Sequence, residues 1–488
     1  MTIRGTRQAR GLRQARLILS LFVLIGFYTL LAACTGEAVV RLVHAAPPPE
    51  PSAWFWRAPD PITGWSHLPN SSGRSFNPLY EYDVSVTFNS RGIRGPESLG
   101  YDKAQGVYRV LLLGDSFAEG VQVNDEETFG EQLRRLLTDA LGRPVEVINA
   151  GVSGFGTDQE LLWLREEGVK YAPDLVLLAV YPHNDFMNNT EMLESANQGA
   201  ISKPFFSLDG GALHIHYYPF DPSTAPAVDS PFAEVAAPTA PPGPLTGFGH
   251  WLHSHSAFYR YFNPRIRLAS PRLAAWLARL GLFDPGQESQ LVAQGDGYIP
   301  LTYRIYGTPL APEWQDAVSL TAALFAEIER TAQGMGATSA AVLIPSPERI
   351  YPERWRRILV HFPAMRSGAW DLTQPERLAA AALNNVGIPV LSLADAFVST
   401  ASAAPLLYLK EDGHWTAAGH ALAARAIFNF LAARAIVPGP AGQTVPLATP
   451  APSRPLWTWA VLLFVLLLAG SLVWRIVQIG LVPWLRHI

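Results

Sequence analysis

Four short clusters carry residue types that together are able to cleave an ester. The first is Gly114-Asp115-Ser116-Phe117-Ala118-Glu119-Gly120, directly after an apolar, β-branched run at 107–113 that only Arg109 interrupts. A serine at the carboxyl end of a buried strand and ahead of a helix stands where open α/β sheets hold their ligands. Its backbone N–H, at a helix start, is also placed to stabilise an anion. A serine that merely caps the next helix would read the same way, so the triplet alone establishes little. The second cluster, Asn149-Ala150-Gly151-Val152-Ser153-Gly154, follows a second strand, and its small residues let a backbone N–H approach a substrate. The third, Asn184-Asp185, follows a third strand and offers the Asn184 side-chain amide. The fourth, Asp412-Gly413-His414-Trp415, precedes the last helix and supplies a base with a carboxylate beside it. A serine hydroxyl needs such a base, and the base needs an acceptor that fixes its tautomer. Donors converging from three strand ends make an oxyanion hole.

The elements between these clusters follow a regular order. Apolar strands are expected at 107–113, 145–148 and 174–181, with helices at 129–141 and 159–171 between them. Residues 84–88 alternate as one short strand. After a break the pattern resumes with a helix at 318–333, a strand at 339–344, a helix at 375–386, a strand at 389–393 and a last helix at 416–433. Strand and helix in alternation predict an α/β domain with a parallel sheet. Residues 190–315 are rich in proline, alanine and aromatics, with one or two short helices expected within 251–282. That is too long for a plain loop, and it reads as an inserted cap.

The chain has 488 residues, 49% of them hydrophobic and only 16% charged. Residues 17–36 and 455–474 are uncharged stretches long enough for a helix to cross a bilayer. Arg4, Arg7, Arg10, Arg13 and Arg16 precede the first stretch, and Arg475, Arg486 and His487 follow the second. Positive charge stays on the cytoplasmic side, so both ends are expected inside and residues 42–453 outside. The expected organisation is a basic tail at 1–16, a span at 17–36, and a spacer and extension at 45–104. A catalytic domain at 105–433 follows, then a linker at 439–454, a second span at 455–474 and a tail at 475–488. Residues 42–453 hold 28 basic and 40 acidic residues, a balance that repels phosphate backbones and argues against nucleic-acid binding. The lone cysteine, Cys34, falls in the first span, which leaves the exported body without a disulfide. Leu31-Ala32-Ala33-Cys34 also resembles a bacterial lipoprotein signal. The span is the reading adopted, because the second stretch already supplies an anchor.

The four clusters, in this order, resemble the characteristic blocks of SGNH (GDSL-type) hydrolases over roughly 105–190 and 318–433. The resemblance implies a three-layer α/β/α (flavodoxin-like) fold. It implies Ser116 as nucleophile, His414 as base, Asp412 as its acid, and an oxyanion hole from Ser116, Gly154 and Asn184. Two positions depart from the pattern. Pro182 stands where the third block usually has glycine. Asp412 lies two residues before His414 where many esterases have the acid three before, a slot that Glu411 fills here as reserve acid. That shorter spacing, with Trp415 following, is more similar to the branch that includes polysaccharide O-acetyltransferases.

The expected function is cleavage of an envelope or extracellular acyl ester through acyl-Ser116. Transfer of the acyl group to a sugar hydroxyl is the alternative enzyme, and a non-catalytic envelope binding module the alternative outside catalysis. The expected partners are an acyl ester or acylated glycan and the lipid bilayer, with no cofactor. His250, His253 and His255 cluster in the insertion but lack the companions of a metal site. Asp115, Asp185 and His183 read as turn residues, His214 and His216 as a half-exposed strand, and His420 as a core or capping residue. Trp457, Trp459 and Trp474 fit an interfacial belt around the second span.

Overall fold

A computed structural model describes residues 23–28, 30–42, 56–77, 79, 81–226, 243–283, 297–402, 406–438, 444, 446 and 447. The second span at 455–474, its tryptophans, both tails and the proline spacer at 45–51 lie outside the described residues. The chain divides into two units, one formed by the amino-terminal segment, 247–266 and 451–488, the other by the remainder.

In the smaller unit α1 (Val23–Leu42) is long and apolar enough to cross a membrane, as a span or as a signal helix. The larger unit begins with two antiparallel hairpins, β1 (Arg57–Asp60) with β2 (Gly64–His67) and β3 (Ser72–Phe76) with β4 (Asp83–Thr87). Only part of β4 was expected from alternation; the other three strands are short and lack an apolar period. Then come β5 (Tyr108–Gly114), α2 (Ser116–Glu119), α3 (Phe129–Leu141), β6 (Val145–Asn149), α4 (Thr157–Glu166), β7 (Leu175–Val180), α5 (Asp185–Asn188) and α6 (Glu191–Gln198). A hairpin of β8 (Phe205–Asp209) and β9 (Ala212–His216) follows, then α7 (Thr246–His255), α8 (Ala257–Ala269) and α9 (Pro271–Arg279). The chain closes with α10 (Pro312–Gly334), β10 (Thr338–Leu343), α11 (Pro347–Ile350), α12 (Pro352–His361), α13 (Gln374–Asn385), β11 (Val390–Ser392), α14 (Ala394–Ala401) and α15 (Ala417–Ala433).

Five strands form one parallel sheet in the order β11-β10-β7-β5-β6. This is the doubly wound order in which the chain reverses direction between the first and third strands, here β5 and β7. Both faces of the sheet are buried, which is why β7, and β5 save for Arg109, read as continuous apolar runs rather than alternating ones. Leu111, Leu113, Val176 and Leu178 face a core with α4, α10 and α13. Val110, Leu112, Leu175 and Leu177 face the opposite core with α3 and α15. Arg109, the one charge in β5, is fully buried because its Nε donates to Glu146 on the neighbouring strand at 2.7 Å and its Nη1 to the Tyr171 carbonyl at 2.6 Å.

Two expected helices shift. The one expected at 159–171 ends at Glu166, and Gly168–Tyr171 tightens into a 3₁₀ turn. The one expected from 318 starts at Pro312, where a proline suits the first helical position. Among the described residues of the insertion, the run at 246–279 is divided into α7, α8 and α9, because Ser256 and Ser270-Pro271 interrupt it. The first portion of the insertion is tied into the core: Lys203 pairs with Asp158 at 2.6 Å with both side chains fully buried, and Phe205 is buried beside them.

Candidate active site

The strand order reverses between β5 and β7, the place where open α/β sheets hold ligands beyond the carboxyl ends of their strands, and three of the four clusters stand at strand ends there. Ser116 is the first residue of α2, immediately beyond β5. Asp115 caps that helix, its Oδ1 accepting from the Phe117 N–H at 2.9 Å. Its Oδ2 accepts from Asn184 Nδ2 at 3.2 Å, so the ends of β5 and β7 are bonded to each other. The amide of Asn184 has a second hydrogen, and its Oδ1 is buried without a partner among the described residues. Gly154 follows β6 with φ of +79°, a conformation that disfavours any side chain, and lies against the Trp65 ring.

The fourth cluster arrives from the other end of the sequence. Leu409 N–H donates to the His414 carbonyl at 2.7 Å, and Gly413 turns the loop at φ +89°. The turn aims His414 Nε2 at Ser116 Oγ, 2.7 Å away, and leaves Nδ1 2.6 Å from Asp412 Oδ1. Trp415 is fully buried against Phe117 and Phe129, which fixes the loop to the core beneath it. The His414 and Asp412 side chains keep 25% and 17% of their surface exposed, enough for a substrate to reach them. Burial pushes the His414 pKa down, but the Asp412 hydrogen bond and charge outweigh it, and the net shift is above the ordinary histidine value of 6.5. Burial pushes Asp412 up, but the His414 bonds outweigh it and hold the carboxyl below its ordinary range. Glu411 turns away to Arg357 at 3.2 Å and so is not the partner of His414.

The remaining candidates fall into place around this line. Burial raises Asp115 above the ordinary carboxyl range, and raises Asp185 and Glu160 much further, with like charge adding to both. Asp185 accepts from the Tyr181 N–H at 2.7 Å and holds the turn that contains Pro182. His183 bonds the Tyr306 hydroxyl at 2.8 Å and is lowered by burial, hence neutral. His420 is pushed down to about 3 by burial, with Arg94 and His414 adding, and its ring Nδ1 accepts from the Phe129 N–H at 3.2 Å. His214 and His216 lie on the exposed β9 strand. His255 stacks on Trp251 in α7.

Sequence reasoning passed over a second set of residues, mostly from the two amino-terminal hairpins. Glu119, buried in α2, accepts on Oε1 from Trp56 Nε1 at 2.8 Å and faces His67 Nε2 at 3.0 Å. Its Oε2 accepts from the Ser153 N–H at 3.1 Å and from the Ser153 hydroxyl. Trp65 Nε1 donates to the Ser153 carbonyl at 3.1 Å. The loop that carries Gly154 is thus held by a carboxylate one helical turn from Ser116. The acid loop is held too: Glu81 accepts from the Glu411 N–H at 2.9 Å and the Asp412 N–H at 2.8 Å. Arg354 adds a bond to the Lys410 carbonyl at 2.5 Å. Glu119 and Ser153 sit inside the first two blocks, so their positions were in view; Trp56 and His67 were not, because they lie 63 and 52 residues before Glu119 in weakly patterned sequence.

A family model described as "SGNH hydrolase-like domain, acetyltransferase AlgX" matches residues 310–455, a segment that contains Asp412 and His414 but not Ser116. No curated protein matches the sequence. Similar solved structures include Axe2, an acetylxylan esterase from Geobacillus stearothermophilus, at 12% identity and TM-score 0.32, covering 71% of this chain and 97% of that one. They also include a lipase/acylhydrolase from Enterococcus faecalis, at 12% identity and TM-score 0.30, covering 67% and 96%. With the four blocks in order and the family match over the last of them, the chain fits the SGNH hydrolase superfamily, its final block on the side of the O-acetyltransferase branch.

Proposed function

We propose that this chain is a serine-dependent enzyme that cleaves an acyl ester through acyl-Ser116. The observation that carries the reading is the unbroken line from Asp412 through His414 to Ser116, at 2.6 and 2.7 Å. His414 Nε2 takes the Ser116 proton as Oγ attacks the ester carbonyl, and Asp412 stabilises the imidazolium that forms. The Ser116 and Gly154 N–H groups and the free hydrogen of Asn184 receive the developing oxyanion, each donor worth about 3–4 kcal/mol in the transition state. The alcohol leaves with the proton from His414. An attacking water then returns Ser116 to its starting state, with His414 again accepting the proton.

Attack by a sugar hydroxyl in place of water makes the same site an O-acetyltransferase. The match to an acetyltransferase domain and the Asp-x-His spacing favour this second reading. Incubating the purified full chain with an aryl acetate and an unacetylated oligosaccharide separates the two. Acetate release alone supports the hydrolase, and acetylated oligosaccharide supports the transferase. Neither product, from a folded chain, leaves only the non-catalytic envelope module. The arginines before α1 favour a catalytic body outside the cytoplasm, anchored at residues 17–36 and 455–474. An alkaline phosphatase fusion after residue 439, with the second stretch deleted, tests this; a silent reporter on an expressed fusion would put the body inside.

A further inference from the structure

The uncharged stretch of α1 ends at Gly36, and Glu37 is the first charge after it. A membrane helix of this kind places that first charge at the level of the lipid headgroups. Glu37 is there engaged by another segment of the same unit. Its Oε1 accepts from the Ala257 N–H and its Oε2 from the Phe258 N–H, both at 2.9 Å, and the Ser256 hydroxyl donates to it at 2.8 Å. Arg41 bonds Glu37 and reaches the His255 carbonyl at 2.8 Å. Gly36 lies directly against the Phe258 ring, where a side chain would collide. The junction of α7 and α8 is therefore fixed at the end of the span.

What these helices present outward is unusual for a surface in water. Phe248 and Trp251 stack on each other at 5.9 Å, each 52% exposed, and Trp251 stacks in turn on His255. Phe262 and Leu268 are exposed on α8. α7 and α8 together carry three arginines, Arg260, Arg265 and Arg267, all on α8, and no acidic residue, in a body where acids outnumber bases 40 to 28. Exposed tryptophan and phenylalanine on a helix pair with basic and no acidic charge is the composition of segments that lie in a bilayer interface. Basic residues there are attracted to anionic headgroups.

We infer that α7 and α8 lie along the surface of an anionic phospholipid bilayer beside the end of α1, with Phe248 and Trp251 inserted among the headgroups. The inference rests on α1 being a membrane span. The test uses the full chain with Cys34→Ser, reconstituted into vesicles of phosphatidylcholine and phosphatidylglycerol. One variant carries Trp251→Cys, a second Phe248→Cys and a third Val23→Cys, each labelled with an environment-sensitive fluorophore. The expected result is that labels at 251 and 248 are quenched about threefold more by nitroxide-bearing lipid than by aqueous iodide, as is the label at 23. If the label at 23 behaves so while those at 251 and 248 respond to iodide instead, the span stands and this inference is overturned. If the label at 23 also responds to iodide, the span reading falls and takes the inference with it.

Discussion

Two carboxylate–histidine pairs lie close to Ser116, and they do opposite things. In one, Asp412 holds His414 Nδ1 at 2.6 Å; in the other, Glu119 faces His67 Nε2 at 3.0 Å. The second nitrogen decides between them. For His414 it meets the Ser116 hydroxyl, which is able to donate, so the neutral ring with Nε2 as acceptor fits. For His67 it meets the Gly92 carbonyl at 2.8 Å, which only accepts. Both nitrogens of the His67 ring are thus occupied, Nδ1 by the Gly92 carbonyl and Nε2 by Glu119, and neither faces a hydroxyl. With Glu119 the ring forms a buried strut. A histidine beside a carboxylate is thus a base only when its other nitrogen is left a proton to collect.

The hardest blow to this contrast is to remove the hydroxyl. Ser116→Ala is expected to lower kcat on an aryl ester by about 10⁴-fold or more and to abolish fluorophosphonate labelling, with the melting temperature little changed. Labelling that survives in the Ala variant would remove the nucleophile from the account.

Next in size is the acid. Asp412→Ala is expected to cost about 10²–10⁴-fold in kcat, whereas Glu411→Ala changes it by less than about threefold. A reversed ranking in the same assay would mean that Glu411 leaves Arg357 and serves His414.

On the structural side, Glu119→Ala leaves His67, Trp56 and Ser153 facing an empty buried site. Breaking a buried pair from one side costs about 3–5 kcal/mol, read as a loss of unfolding free energy in denaturant titration. A variant as stable as the parent would show that Glu119 is not a strut.

The smallest effect sharpens the comparison most. Because the folded pKa of His414 is raised, its proton leaves only above the ordinary 6.5, and the acid limb of kcat/KM should lie above that value. Activity is present above the limb, where His414 is neutral, and lost below it. Asp412→Asn should carry the residual limb to lower pH, while His67→Gln lowers stability and leaves the limb in place. A limb that follows His67 instead would exchange the roles of the two pairs.

The first pair was legible in the sequence and the second was not, for a physical reason. Ser116, Asn184 and His414 adjoin strongly apolar or helical runs whose period announces where each strand ends, so their placement in one crevice follows from sheet order. Gly154 was named through the resemblance of its block and not through any period. His67, Trp65 and Glu81 belong to hairpins whose strands have four or five residues, where no run is long enough to reveal a period. Glu119 was quoted within its block, yet a glutamate in a short helix carries no sign of burial until its four donors are known. Residues 56–100, expected as spacer and extension, therefore hold both loops of the site. The insertion was visible as a break in rhythm, but the burial of Lys203 against Asp158 depends on a meeting of distant segments that composition does not disclose.

The bond from Glu81 to the Asp412 N–H joins residues 331 positions apart, and Ser116 meets His414 across 298. Contacts of such separation form late, because the loop they close has to be collected before the contact gives anything back. As the chain is synthesised from its amino terminus, Ser116 emerges long before His414, and during that interval Ser116 is an ordinary alcohol. Chains arrested before His414 should accordingly be silent to a fluorophosphonate probe, and chains extended through α15 should react.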